Sequence, residues 1–401
     1  MPSPLERSHI EGLLEHGDPT DKQREAANAV IEHGTYRAAA KSLGVVESNI
    51  AQHIGWLKKK SARKGFAPEH DQTHPAPDGQ VIKGVSTLYD DAGNTRLQWV
   101  KTNADQQRQL DILKEAIQGL VSDVQPRRAL APPKDTNGAL MSVYPCADIH
   151  VGMYSWAKET GADFDVDIAY RDTCAAVDYL VERSPPSRRA ALLNLGDLFH
   201  AENTEGVTEA NRNVLDMDTR FSNMFEVGLS VLEYGIARML ERHKHVDLVN
   251  IPGNHDESLA LVLPALFRRL YANEPRITVH DNERQRVYLE HGRCLIGAIH
   301  GHKTKDAELL QIMATEMPEA WGRTRHRVYF RGHHHHDSRV EYNGGVVEQV
   351  RTPSAADAYA VGHGYLSGRD LKGIVMHERY GEQSRFTCGI DVLRDAGNEA
   401  A

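Results

Sequence analysis

The sequence predicts an α/β protein that carries a small all-α domain at its N-terminus. From Leu140 onward, short apolar runs alternate with helix-like segments, which is typical of α/β architectures. Between Thr20 and about Gly65, apolar residues recur at helical spacing instead. A connecting part with a β-hairpin and a helix lies between them. We therefore predict three regions, residues 1–68, 69–138 and 139–401.

Composition excludes several classes of protein. With 401 residues, of which 40% are hydrophobic and 26% charged, the chain resembles ordinary globular proteins. No apolar run could cross a bilayer, and the first ten residues lack the apolar core of a secretory signal. The four scattered cysteines form no CxxC pair, which indicates a reducing cytoplasm. We expect no membrane partner, and a homo-oligomer is compatible with the sequence.

Three helices are predicted between Thr20 and Gly65. Thr20 and Thr35 are the predicted N-caps, and Gly34 and Gly44 the stop signals. The second and third helices meet at a glycine turn, which is the pattern of a DNA-binding helix-turn-helix. Because the net charge is −9, any affinity for nucleic acid must come from a local basic patch. The third helix ends in cations that suit DNA phosphates, Lys58, Lys59, Lys60, Arg63 and Lys64. The alternative is a three-helix bundle that binds protein or nothing.

The middle region begins with a linker rich in proline and polar residues, 67–80. Two β-prone arms then flank the turn sequence "DDAGN", which predicts a hairpin over Ile82–Thr102. One amphipathic helix is predicted from Asp105 to Val124. Prolines and a glycine between residues 125 and 138 indicate the main domain boundary.

Five apolar runs of the C-terminal region are followed by the same kind of side chain. The residues at these five ends are carboxylates, histidines and one asparagine: Asp148 and His150; Asp197; Asn254, His255 and Asp256; His300 and His302; His333 to His336. Because ligands collect at the carboxyl ends of strands in α/β sheets, we expect these side chains to converge. Such donors suit Mn²⁺, Fe²⁺ or Zn²⁺ rather than Ca²⁺. Of these residues, seven are the candidate ligands named below. Seven ligands are too many for one ion and fit two ions that share a carboxylate.

The last end contains four consecutive histidines, in "FRGHHHHDS". A remnant of a purification tag or a solvated loop would also explain such a tract. The other four ends favour a metal site. Since alternate residues of an extended segment point the same way, His333 and His335 are predicted to face the metals, with His334 and His336 facing elsewhere.

The ordered motifs DxH, GD, GNHD, HG and GHxH between Asp148 and His335 resemble those of calcineurin-like metallophosphoesterases. The resemblance implies a metallophosphoesterase-type αββα sandwich that hydrolyses phosphate esters with two divalent ions, with Mn²⁺ preferred and Fe²⁺, Zn²⁺ or Ni²⁺ as alternatives. It implies that the first ion is held by Asp148, His150, Asp197 and His335. The second would be held by Asp197, Asn254, His300 and His333. Asp197 would be the bridge, and His255 the catalytic histidine beside the scissile phosphate, as acid or charge stabiliser.

Neighbouring residues leave alternatives open. His302 is a possible ligand in place of His300, although the family pattern favours His300. His200 and Asn203 lie just past Asp197 and are substrate contacts, supports for the ligands or merely exposed residues. Asp256 is expected to brace its loop.

The order of basic helix, hairpin and C-terminal domain is similar to proteins encoded in tailed bacteriophage genomes. This similarity implies a phage-infected or lysogenic bacterial host and a nucleic-acid context. Our first hypothesis is therefore a DNA-directed nuclease. The second is a phosphatase or a small-molecule or cyclic-nucleotide phosphodiesterase with a protein-binding helical domain. The third is a non-catalytic DNA-binding phage protein, and the complete ligand set argues against it. The polar insert at 201–221 is too weakly basic for a DNA groove, which counts against the first hypothesis.

Overall fold

The computed structural model describes residues 4–68, 76, 80–90, 95–104, 126–208 and 212–393. The chain divides into two compact units, one ending at Ala116 and the other beginning at Ile117. The predicted helix from Asp105 to Val124 lies outside the described residues. The three predicted regions, with boundaries after residues 68 and 138, stay a prediction. Within the described ranges, no helix combines the length and apolarity that a bilayer crossing requires.

The described part of the first unit begins with four helices, α1 (Pro4–His16), α2 (Asp21–His33), α3 (Tyr36–Leu43) and α4 (Glu47–Arg63). The predicted caps are confirmed. The Thr20 hydroxyl accepts the N–H of Gln23, and the Thr35 hydroxyl accepts that of Ala38. Gly34 and Gly44 end α2 and α3 in the left-handed conformation that glycine adopts easily. Helix α1 was not predicted, because it buries few apolar residues.

Alanines let these helices approach closely. Ala39 and Ala40 of α3 pack against Ile50, Ile54 and Leu57 of α4, as the helical spacing predicts. The predicted hairpin is also present. Its strands β1 (Gln80–Tyr89) and β2 (Thr95–Ala104) pair in antiparallel fashion, and most of its turn lies outside the described residues.

Two sheets form the centre of the second unit. One has the strand order β13-β12-β3-β4-β5-β6 and contains β3 (Asn137–Cys146), β4 (Ser187–Asn194), β5 (Val246–Asn250), β6 (Ile277–Val279), β12 (Asp370–His377) and β13 (Gly381–Gly389). The other has the order β10-β11-β9-β8-β7 and contains β7 (Arg286–His291), β8 (Cys294–Ile299), β9 (His326–Arg331), β10 (Ser338–Tyr342) and β11 (Gly345–Gln349). Strands β3 to β6 are parallel in the first sheet, and β8, β9 and β11 are parallel in the second.

Helices cover the outer face of each sheet. The described helices of this unit are α5 (Ala157–Thr160), α6 (Val166–Arg183), α7 (Phe221–Arg242), α8 (Glu257–Leu270), α9 (Asp306–Glu316), α10 (Pro318–Arg323) and α11 (Ala358–Gly362). Helices α6, α7 and α8 pack on the six-stranded sheet, and α9 and α10 pack on the five-stranded sheet. Leu193 and Phe330 lie among the buried residues that fill the space between the sheets. The predicted αββα sandwich is therefore confirmed.

The five motif-bearing strands are divided between the two sheets. Strands β3, β4 and β5 belong to the first, and β8 and β9 to the second. Their carboxyl ends meet across the sandwich, so the convergence predicted for one open sheet is achieved by two facing sheets.

Candidate metal centre

The structure brings the seven predicted ligands to one place. Their donor atoms form two groups, Asp148 with His150 and His335, and Asp197 with His300 and His333. Within each group, one donor atom per residue lies within 4.8 Å of the others. Asn254 joins the second group, with its Oδ1 atom 2.9 Å from His300 Nε2. The groups adjoin each other, because the Asp148 carboxylate accepts the backbone N–H of His333 at 2.9 Å.

Five of these residues adopt a left-handed backbone conformation that is rare for residues other than glycine. The φ angles are 56° at Asp148, 50° at His150, 54° at Asp197, 80° at His333 and 59° at His335. Such a conformation costs on the order of 1–3 kcal/mol for each residue and persists only where surrounding contacts impose it. The cluster of strained residues therefore indicates a site built for binding.

The histidine tract reaches the site in a different way from that predicted. Because His333 and His335 are left-handed, the segment is not extended, and the expected extended conformation was wrong. The two histidines nevertheless reach the donor groups, while His334 and His336 are exposed. The left-handed conformation of His333 and His335, rather than alternation along an extended strand, brings both side chains to the donor groups.

Two glycines allow the carboxylates to sit against the backbone. A Cβ atom on Gly253 would lie 2.0 Å from Asp197 Oδ1, and one on Gly332 would lie 2.7 Å from Asp148 Oδ2. Neither distance is sterically possible. The glycines of the GNHD and GHxH motifs are thus required by the close approach of Asp197 and Asp148.

The donor set fits divalent cations. The side chains of Asp148 and Asp197 are 0% and 2% exposed. Among the described residues, neither carboxylate forms an ion pair with lysine or arginine, and their partners are His335 and His300. A buried carboxylate without a cation costs several kcal/mol. Two carboxylates, four imidazoles and one amide oxygen are ligands that divalent transition metals accept.

Protonation states also suit metal binding. Burial, together with the neighbouring His255, holds the pKa of His150 well below its ordinary value. Burial and His300 lower the pKa of His333 to about 4. Burial also opposes the charged form of His300, but the Asp197 carboxylate outweighs it and raises the pKa to about 9. Two imidazoles are therefore ready to coordinate at neutral pH, and a bound ion would displace a proton from the third.

His255 is held so that one ring nitrogen stays available. Its backbone N–H donates to Asp197 Oδ1 at 2.8 Å, and its Nδ1–H donates to the His200 carbonyl at 2.8 Å. Since a carbonyl only accepts, Nε2 is the nitrogen left to act on a ligand. The ring centroid lies 4.8 Å from that of His150, so His255 borders the first donor group.

His200 belongs to the site, which sequence reasoning left open. It is buried, its Nδ1 lies 3.2 Å from His150 Nδ1, and its ring stacks on His255 at 5.4 Å. Burial and His255 lower its pKa to about 3. The alternative of a merely exposed residue is excluded. The available signal was its position, three residues after Asp197.

Three other residues near the motifs, Asn203, His302 and Asp256, lie outside the donor groups. Asn203 closes a turn of the insert, because its Nδ2 donates to the Val207 carbonyl at 2.6 Å. The ring of His302 lies 5.2 Å from that of His300 but contributes to none of the donor groups found among the described residues. Asp256 braces the loop as expected, since its carboxylate accepts the N–H groups of Asp197 and Gly253 at 3.1 and 3.0 Å.

Four of the predicted DNA contacts lie on α4, and Lys64 is the residue that caps its C-terminus. Lys60 Nζ donates to the Asp18 carbonyl at 3.1 Å, and Lys64 Nζ donates to Asp18 Oδ2 at 3.3 Å. These two cations therefore hold the loop before α2. Lys59 and Arg63 are exposed one turn apart, and neither forms an ion pair with another described residue. Lys58 is also exposed.

Comparisons with known proteins point to one family. The family model described as calcineurin-like phosphoesterase matches residues 141–364. No curated protein matches the chain. A predicted phosphoesterase from Streptococcus pneumoniae TIGR4 is 13% identical over 64% of this chain and 92% of its own, with a TM-score of 0.29. Wild-type Vps29 from Entamoeba histolytica, complexed with zinc, is 12% identical over 62% of this chain and 99% of its own, with a TM-score of 0.27. A novel archaeal phosphodiesterase is 12% identical over 62% and 100%, with a TM-score of 0.31. At these scores, the solved structures add no argument to the family match.

Proposed function

The chain belongs to the calcineurin-like phosphoesterase family, and we propose that it is a phosphodiesterase that cleaves DNA at a centre of two divalent ions. Membership of the family makes it a hydrolase of phosphate esters that uses divalent metal ions. The number of ions, their identity as Mn²⁺ and the choice of DNA are proposals.

The observation that carries the proposal is the pair of adjoining donor groups with buried carboxylates. We assign the first ion to Asp148, His150, Asp197 and His335, and the second to Asp197, Asn254, His300 and His333. When bound, such a pair of ions supplies a water acidic enough to attack phosphorus and Lewis acidity for the phosphoryl oxygens. Asp197 is the proposed bridge because one of its carboxylate oxygens contacts His300 of the second group, while the other accepts the N–H of His255, whose ring borders the first group.

The chain's own residues position the ester and handle charge. As an imidazolium, His255 is proposed to donate its Nε2–H to a phosphoryl or leaving-group oxygen, while its Nδ1–H stays committed to the His200 carbonyl. Stacking on His200 fixes the plane of the ring. Asp256 ties the ends of β4 and β5 together, so that Asp197 and His255 keep their separation.

DNA is the proposed substrate because of the N-terminal helices. Helices α3 and α4 meet at Gly44 in the order of a helix-turn-helix, and α4 exposes Lys58, Lys59 and Arg63 beyond its buried face. These side chains are proposed to contact DNA phosphates and so to increase the affinity of the protein for DNA. The proposed setting is the cytoplasm of a phage-infected or lysogenic bacterium.

A screen of metals against substrates tests this function. Mn²⁺, Mg²⁺, Zn²⁺ and Ni²⁺ are each combined with single- and double-stranded DNA, RNA, cyclic nucleotides, a phosphopeptide and an aryl phosphodiester. We expect cleavage of DNA with Mn²⁺ and no cleavage after chelation. Turnover of the phosphopeptide or of cyclic nucleotides with DNA left intact would contradict the choice of DNA.

A small-molecule phosphodiesterase is the second candidate. The insert at 201–221 contains five acidic residues, Glu202, Glu205, Glu209, Asp216 and Asp218, against two arginines, Arg212 and Arg220. Such a segment repels a long polyanion more than it repels a small diester. Faster turnover of cyclic nucleotides than of DNA would favour this candidate.

A further inference from the structure

Four large aromatic side chains stand exposed on segments next to the candidate metal centre. Tyr154 is 47% exposed, Trp156 50%, and Tyr359 and Tyr365 63% each. Single exposed apolar residues are normal on protein surfaces, but a contiguous group indicates a binding surface. We call these four residues the aromatic rim.

Hydrogen bonds join the rim to both sides of the first donor group. Tyr154 follows His150 by four residues, after a turn in which the Met153 N–H donates to the His150 carbonyl at 3.0 Å. At the other end, the Ser367 hydroxyl donates to the His335 carbonyl at 2.8 Å, two residues after Tyr365. The rim therefore begins and ends within a few residues of two proposed ligands.

The two halves of the rim are also joined to each other. The Ser155 hydroxyl, which is buried between Tyr154 and Trp156 in the sequence, donates to the Ala356 carbonyl at 2.8 Å. Because Ser155 points inward, the side chains on either side of it point outward together. The short helices α5 and α11, which carry Trp156 at the start of one and Tyr359 within the other, lie against each other.

The rings of the second half form a ladder. The ring centroids of Tyr359 and His363 are 4.1 Å apart, and those of His363 and Tyr365 are 5.7 Å apart with planes inclined by 16°. On the first half, the Lys158 ammonium lies 5.5 Å from the Trp156 ring. The spacing and inclination of His363 and Tyr365 are those of stacked rings, and the Lys158–Trp156 distance is that of a cation–π contact.

We propose that the aromatic rim is a stacking surface for the unpaired bases of a single-stranded nucleic acid whose phosphate enters the metal centre. The inference rests on the proposed function and names its substrate class. A nucleobase is a flat ring joined through a sugar to a phosphodiester, so it can stack while its phosphate reaches the donor groups. In a duplex the bases are already stacked inside, whereas unpaired bases are free to bind aromatic side chains.

Charge supports stacking as the main source of affinity. Within residues 154–160 and 357–367, the only lysine, arginine or acidic residues are Lys158, Glu159 and Asp357. Such segments cannot hold a strand by neutralising its backbone phosphates. Apart from the phosphate that enters the metal centre, a strand that binds to these segments must therefore depend on its bases.

The test compares two labelled oligomers of equal charge, hexathymidylate and an abasic hexamer, both with phosphorothioate linkages that slow hydrolysis. Fluorescence anisotropy gives their Kd values for the full-length, Mn²⁺-loaded chain. Because both carry the same phosphates, any contribution from cations on α4 is common to the two. We expect the thymidylate to bind at least tenfold more tightly than the abasic hexamer.

Variants of exposed rings then locate the binding. Tyr359→Ala with Tyr365→Ala should weaken thymidylate binding by roughly tenfold or more and leave the abasic hexamer unchanged. The paired Phe replacements should restore it. The matched control is Tyr380→Ala, because Tyr380 is exposed to a similar degree. Tyr380 lies in the turn after β12, and the last residue of β12 pairs with β3 near its N-terminal end, away from the end that carries Asp148. In hydrolysis, the Ala pair should raise KM and leave kcat within about twofold.

Two results would overturn the inference: equal affinity for the two hexamers, or thymidylate binding by the Tyr359→Ala, Tyr365→Ala variant that equals that of the Tyr380→Ala control. Either result would favour a protein as the partner of the aromatic rim. Cleavage of DNA without any preference for bases would overturn it while supporting the proposed function. Base-dependent binding without hydrolysis of any phosphodiester would support the rim and overturn the proposed function.

Discussion

Replacing Gly253 by alanine should displace the Asp197 carboxylate and weaken metal binding at the centre. The new Cβ atom would start 2.0 Å from Asp197 Oδ1 and 2.4 Å from the Asp197 nitrogen, and real Cβ contacts essentially never fall below 3.0 Å. The carboxylate or its loop must therefore retreat by about 1 Å. Metal–ligand distances tolerate only about 0.2 Å.

Overpacking of this kind costs about 1–3 kcal/mol of folding free energy, so the variant should still fold. Loss of a well-placed ligand should reduce bound metal to less than half and kcat/KM by about 100-fold or more. Elemental analysis after dialysis, a DNA-cleavage assay and thermal unfolding report the three effects.

The matched control is Gly235→Ala, at a buried helical glycine where the new Cβ would meet Leu192 at 3.5 Å, an ordinary contact. It should keep its metal and its activity. Full metal content and wild-type turnover in Gly253→Ala would refute the reasoning, because Asp197 would then tolerate a shift that no ligand can.

Three other predictions concern His255, the buried His243 and helix α4. His255→Asn should lower kcat by about 10²–10⁴-fold while metal content stays intact, and a loss of metal would show that His255 is a ligand. Burial and Arg242 lower the pKa of His243 to about 3. Between about pH 6.5 and 3, His243 is therefore protonated in the unfolded chain and neutral in the folded chain. His243 alone should therefore lower the free energy of unfolding by about 1.4 kcal/mol for each pH unit of acidification in that window, and His243→Gln should reduce by that amount the slope measured by denaturant titration. Lys59→Gln with Arg63→Gln should weaken duplex binding and lower the salt slope by about 2, whereas Lys60→Gln with Lys64→Gln should reduce the stability of the helices, since these lysines bond to Asp18. A salt slope in the Lys59→Gln, Arg63→Gln variant equal to that of the wild type would remove these two residues from the DNA contacts.

The parts of the fold that local chemistry dictates could be predicted from the sequence. Thr20 and Gly34 mark the ends of α2, and buried apolar runs mark β3, β4, β5, β8 and β9. The division of those strands between two sheets depends on long-range pairing, which no local pattern encodes. The antiparallel addition of β12 and β13 beside β3 is of the same kind.

The candidate site shows the same division. Ligand types and their order along the chain could be identified, because each follows an apolar run. The left-handed backbone at His333 and His335 could not, since tertiary contacts such as the bond from the His333 N–H to Asp148 impose it. The place of His200 depends on its stacking against His255, which is 55 residues away in sequence. The aromatic rim joins segments about 200 residues apart and became visible only from exposure.

The most direct test of the central claim is the metal stoichiometry of the wild-type chain and of Asp197→Ala, measured by elemental analysis after loading with Mn²⁺ and dialysis. A centre of two ions bridged by Asp197 predicts two equivalents of metal in the wild type and a loss of both in the variant. One equivalent in the wild type, or full occupancy in Asp197→Ala, would contradict the account.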